Sequence, residues 1–68
     1  MIVELNGHEE QMPDGATVAD AVKAVGVDGE TRGVAVAVDG EVVRRTDWES
    51  TSLSERQAVE VVRAVQGG

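Results

Sequence analysis

MIVELNGHEEQMPDGATVADAV, residues 1–22, decides the fold. In an extended chain Met1, Val3 and Leu5 share one face, with Ile2 and Glu4 on the other. Asn6-Gly7 follows, and both residues tolerate the positive φ that a two-residue hairpin turn demands. His8 to Met12 then reads as the returning strand, made polar by Glu9, Glu10 and Gln11, and Pro13-Asp14-Gly15 breaks it. Thr17 is placed to cap a helix, with Asp20 three residues on, a capping-box spacing with Asp in place of the preferred Glu. Val18, Ala21, Val22 and Val25 then form one apolar stripe, predicting a helix from Val18 to Val25 that Gly26 terminates. So short a helix is unstable alone and must lie on a sheet.

Downstream, Val27 to Arg32 reads as a polar connection. Gly33 to Val38 alternates, with Val34, Val36 and Val38 facing one way and Ala35 and Ala37 the other. Asp39-Gly40 is a second hairpin signal, leading into a short strand, Glu41 to Val43. Arg44 to Ser52 is polar and irregular apart from Trp48, and Leu53 is a candidate core plug. Gln57 to Val65 is the last strand, with Val59 and Val61 inward and Ala58, Glu60 and Val62 outward. The opening hairpin leaves the first strand free to pair in parallel with the last. The expected class is α+β: a mixed four- to five-stranded sheet with one main helix across one face. Residues 1–64 form one domain, and 65–68 a flexible tail.

The chain has 68 residues, a net charge of −7, no Cys, no Phe or Tyr and one Trp. Without Cys, neither disulfides nor thiolate metal sites hold it together. The acidic balance argues against nucleic acid and against an anionic membrane surface, since both need a basic footprint. It suits a basic protein partner. No run is long and apolar enough to span a bilayer, and the first residues do not read as a signal peptide, so the cytoplasm is the expected compartment. A monomer is expected.

The last two residues are Gly67-Gly68. Lacking Cβ atoms, they make a thin, flexible thread that suits a narrow channel and can present a carboxylate to a nucleotide. The plainer reading is a frayed terminus. The strand order together with this ending resembles the β-grasp of ubiquitin-like proteins, and within them the small sulfur carriers of thiamine biosynthesis, the ThiS type. The resemblance runs through the opening stretch, through RGVAVAVDGEVVRRTDW (residues 32–48) and through VEVVRAVQGG (residues 59–68). Two departures stand out. The family often has Pro before the Arg, where this chain has Arg44-Arg45, and often Gly-Asp before the last strand, where it has Arg56-Gln57.

The resemblance implies a carrier rather than an enzyme. A ubiquitin-activating-like enzyme using ATP and Mg²⁺ would adenylate Gly68. A persulfide-derived sulfur, from a cysteine desulfurase or similar donor, would then replace AMP to give a thiocarboxylate. Thiazole synthase would take the sulfur. Gly67 would keep the thread narrow, and Gln66 and Val65 would line the entry to the partner's channel. No cofactor is expected on the chain itself. By β-grasp analogy the sheet face away from the helix, with Ala35, Ala37, Ala58 and Val62, is a candidate docking surface. Glu60 beside them could pair with a basic partner residue, and Arg45 is a further candidate contact.

Trp48 reads more simply as closing one edge of a core with no other aromatic residue, with the Arg45 stem over it. His8 reads as a solvated residue after a turn. Glu9, Glu10 and Asp14 read as a charged hairpin edge that resists aggregation rather than a metal cluster. Other readings remain open from sequence: a sulfur carrier for molybdopterin, cysteine or a specialised metabolite, a ubiquitin-like protein modifier, or a β-grasp binding module with an inert tail.

Overall fold

Residues 1–27 and 31–63 are described by the computed structural model. Strands β1 (Ile2–Leu5) and β2 (His8–Gln11) are followed by helix α1 (Val18–Ala24). Strands β3 (Val34–Val38) and β4 (Glu41–Val43), a 3₁₀ turn (Arg45–Asp47) and β5 (Ala58–Arg63) complete the described fold. The strands form one five-stranded sheet in the order β2-β1-β5-β3-β4. β5 runs parallel to β1, with Leu5 opposite Val59, and antiparallel to β3, with Val36 opposite Val61. This mixed sheet with a single helix is the expected β-grasp.

Both hairpins turn as their sequences demand. Asn6 and Gly7 have φ of 52° and 83°, and Asp39 and Gly40 have 50° and 86°. Positive φ at both central residues gives a twist that matches the flanking strands. The capping box forms in full: the Thr17 hydroxyl accepts from the Asp20 N–H, and the Asp20 carboxylate accepts from the Thr17 N–H. The irregular stretch after β4 completes the cap. The Val18 and Ala19 N–H groups donate to the carbonyls of Thr51 (2.9 Å) and Trp48 (3.1 Å), two donors that a helix start otherwise leaves orphaned. Leu53 N–H reaches the Ala16 carbonyl at 2.8 Å, which fixes the Leu53 side chain in the core.

The core lies between sheet and helix. Val3, Leu5, Val36, Val38, Val59 and Val61 enter it from the sheet, and Val18, Ala21 and Val22 from the helix. Trp48 closes one edge, buried, with its indole N–H donated to the Val43 carbonyl at 3.0 Å. The connection after α1 departs from the polar reading, because Val27 is buried in the same cluster. The Val27 N–H bonds back to the Val22 carbonyl (3.3 Å). That bond carries its side chain under the helix end, just past Gly26, whose φ is 89°.

A clamped strand and an exposed sheet face

β5 is the strand from which the last residues leave, and its two neighbours hold it by more than a regular ladder. The Asn6 N–H donates to the Val59 carbonyl (2.9 Å). The Asn6 side chain continues the pairing one step further: its Oδ1 accepts from the Val61 N–H at 2.8 Å, and its Nδ2 donates to the Val61 carbonyl at 3.3 Å. On the other side the Asp39 N–H donates to the Ala58 carbonyl (2.8 Å), and the Asp39 carboxylate accepts from the Ala58 N–H (3.0 Å) and the Gln57 amide (3.2 Å). The first residue of each hairpin turn thus reaches across to β5. The local sequence marks Asn6 and Asp39 only as turn residues.

Asn6→Ala is expected to cost about 3 kcal/mol, from two lost hydrogen bonds of roughly 1 kcal/mol each and about 1 kcal/mol for Ala at positive φ. Asn6→Gly keeps the turn and is expected to cost less. Chemical denaturation checks both terms: Asn6→Gly should still lose about 2 kcal/mol with the two hydrogen bonds, and an Asn6→Gly variant as stable as the parent would remove the side-chain bridge from the account.

The face of the sheet away from the helix carries the candidate docking residues. Ala35 lies opposite Val62, Ala37 opposite Glu60, and Ala58 opposite Glu4. Ala35, Ala58, Glu60 and Val62 are exposed and Ala37 is half-buried. Val62 is 61% exposed and Val42, opposite Ala37, is 77% exposed, and among the described residues these are the large hydrophobic side chains left open to solvent. The five candidates from β3 and β5 therefore share one face. Val42 joins them and was not singled out from sequence. Its signal was its alternation with Val43, which is half-buried against the core.

Arg45 lies elsewhere. It lines a groove beside the helix with Val22, Lys23, Val27, Thr31 and Trp48, and its Nη1 donates to the Thr31 hydroxyl at 3.3 Å. It shares the groove with Trp48, its head exposed, and does not join the sheet-face set. His8 is exposed at the start of β2. Among the described residues no group of three His, Cys, Asp or Glu side chains could hold a metal ion, and no helix is long and apolar enough to cross a membrane. The remaining candidates, Val65, Gln66, Gly67 and Gly68, lie outside the described residues.

Comparison with known proteins places this geometry. No curated protein sequence matches the chain significantly. Among solved structures, the crystal structure of the thiamine biosynthesis protein ThiS from Geobacter metallireducens is similar, with 26% identity, a TM-score of 0.78 and all of both chains covered. An NMR solution structure of a thiamine biosynthesis protein from the same organism is similar at 26% identity and a TM-score of 0.78, covering all of this chain and 88% of that one. The ThiS family model matches residues 2–68, a span that holds the clamped strand, the open sheet face and the Gly67-Gly68 pair together, and the chain belongs to the ThiS family.

Proposed function

We propose that this protein is a sulfur carrier in the thiazole branch of thiamine biosynthesis, with the Gly68 carboxyl group as its reacting group. The observation that carries the reading is the family match, which extends through the terminal Gly67-Gly68. The fold supports it physically: β5 is fixed on both sides by Asn6 and Asp39, so the residues that follow start from a rigid base.

A carboxylate is a poor electrophile, because its negative charge repels a nucleophile and its oxygen is a poor leaving group. An ATP-dependent activating enzyme solves this by joining the Gly68 carboxylate to AMP with release of pyrophosphate. The terminal sulfur of a persulfide then attacks the acyl carbon and AMP leaves, giving an acyl disulfide; a second thiol attacks the donor's sulfur of that bond, releasing the thiocarboxylate with a disulfide as co-product. Thiazole synthase is the proposed acceptor. ATP and Mg²⁺ belong to the activating enzyme, and the chain acts as its substrate. Gly67 keeps the thread narrow, and Gln66 and Val65 line the entry to the channel. The test is chain-dependent exchange of labelled pyrophosphate into ATP by the activating enzyme of the same organism. Absence of exchange with an enzyme shown to be competent would contradict the reading.

The sheet face formed by Ala35, Ala37, Ala58, Glu60 and Val62 is the proposed docking surface, because small side chains allow a partner's backbone to approach closely. Arg45 makes a separate contact from the helix side. Val62→Glu places a charge at the centre of that face and is expected to weaken binding to the activating enzyme about tenfold, a penalty of the size carried by a buried interface residue. Titration calorimetry measures it. Unchanged affinity would move the docking surface elsewhere.

A further inference from the structure

The chain has six basic residues against thirteen acidic ones, and the bases are not evenly spread. Arg56 stands where β5 begins, its N–H bonded to the Ile2 carbonyl (2.7 Å), and its guanidinium is spent internally on Glu9 (2.8 Å) and Glu55 (3.9 Å). The opposite end of the sheet, where β5 finishes, is different. Arg63 is opposite Val34, whose N–H bonds to the Thr31 carbonyl (3.2 Å), and the Thr31 hydroxyl holds Arg45. Lys23 lines the same groove as Thr31 and Arg45. Lys23, Arg44, Arg45 and Arg63 are all exposed, and none of them makes an ion pair with a described residue. Among the described residues that line the groove, Glu49 is the acid.

From this asymmetry we infer that Lys23, Arg45 and Arg63 form a basic rim around the exit of the last residues, which docks on carboxylates of a protein partner. The inference rests on the reading of Gly68 as a group threaded into an activating enzyme. Distance selects the partner chemistry. Five residues separate Arg63 from the end of Gly68, and fully extended they reach about 17 Å at most. With Gly68 threaded into a channel, the rim on the folded domain meets the surface around the channel's mouth and not the nucleotide inside it. A polyanion such as nucleic acid is disfavoured by the net charge of −7, which repels it at long range. A local acidic patch on a protein avoids that repulsion, because charges beyond about 10 Å are screened at ordinary salt. Lys23, Arg45 and Arg63 give up no ion pair with a described residue when they bind carboxylates.

The test compares two double variants that lower the net charge equally. R45Q/R63Q removes two rim charges, and Q11E/S54E adds two acids at the other end, where Gln11 lies opposite Ile2 and Ser54 precedes β5. Stopped-flow association with the activating enzyme is measured from low to high salt, and melting curves establish that both variants fold. R45Q/R63Q is expected to slow association about tenfold at low salt and to flatten its salt dependence, with Q11E/S54E close to the parent chain. Equal slowing by both variants would reduce the effect to net charge and overturn the rim. No slowing by R45Q/R63Q would overturn it as well. Two variants that both bind and are activated like the parent would overturn the rim and leave the carrier reading intact, whereas a parent chain that does not bind at all would defeat that reading and the rim with it.

Discussion

Gly68→Ala is expected to lower the rate of ATP-dependent activation about 100-fold while leaving the melting temperature unchanged. The added methyl sits on the carbon next to the reacting carboxyl. In a channel shaped to a residue without Cβ, it must displace either the channel wall or the carboxyl itself. A shift of about 1 Å from attack geometry costs rates on that order. Folding stability should be indifferent, because side chains between Val3 and Val61 already supply the core that joins helix and sheet. Pyrophosphate exchange measures the first effect and thermal melting the second. Activation of the Ala variant at the parent rate would remove the threading argument. A fall in stability would show that the last residues pack on the domain.

Trp48→Ala is expected to cost about 3–5 kcal/mol, the usual range for truncating a buried aromatic side chain. A domain of this size has roughly 3–10 kcal/mol in total, so the variant should be largely or wholly unfolded at room temperature. Three functions are lost together. The ring is 5% exposed in a core otherwise made of aliphatic side chains. Its N–H satisfies the Val43 carbonyl at the end of β4. Its own carbonyl accepts from the Ala19 N–H at the helix start, so movement of the backbone after loss of the ring is expected to weaken that cap. Trp48→Phe retains most of the volume and loses the hydrogen bond, so it should cost much less. Circular dichroism with urea titration separates the two. A folded, cooperative Trp48→Ala variant would show that Val packing alone carries the domain.

These two cases show what the residues announce and what they conceal. The Thr17–Asp20 box, the Asn6-Gly7 and Asp39-Gly40 turns and the Val stripe of α1 were legible because each signal is local, carried by residues within a few positions of one another. The alternation of β5 gave its inward and outward faces for the same reason. The cross-sheet reach of Asn6 and Asp39 was not legible, because it depends on which strand becomes the neighbour. Val27 was read as part of a polar connection because its burial depends on how the chain folds back after Gly26, not on its flanking residues. Arg45 could be named as exposed, but its separation from the sheet face depends on the 3₁₀ turn.

The Arg56-Gln57 departure has a structural account. Arg56 adopts φ of 68°, a conformation Gly accepts at no steric cost, and the Gln57 side chain accepts from the Ser54 N–H at 2.8 Å. The turn is therefore closed by Gln57, while the Arg56 guanidinium bonds to Glu9.

The central claim is chemistry at Gly68, and intact-mass spectrometry tests it most directly. The protein is incubated with ATP, the activating enzyme of its own organism and a sulfide source, then fragmented. The account predicts a mass gain equal to replacement of one oxygen by sulfur, localised to Gly68 and dependent on ATP. An unmodified chain, with neither sulfur nor an AMP adduct in the presence of an active enzyme, would contradict it.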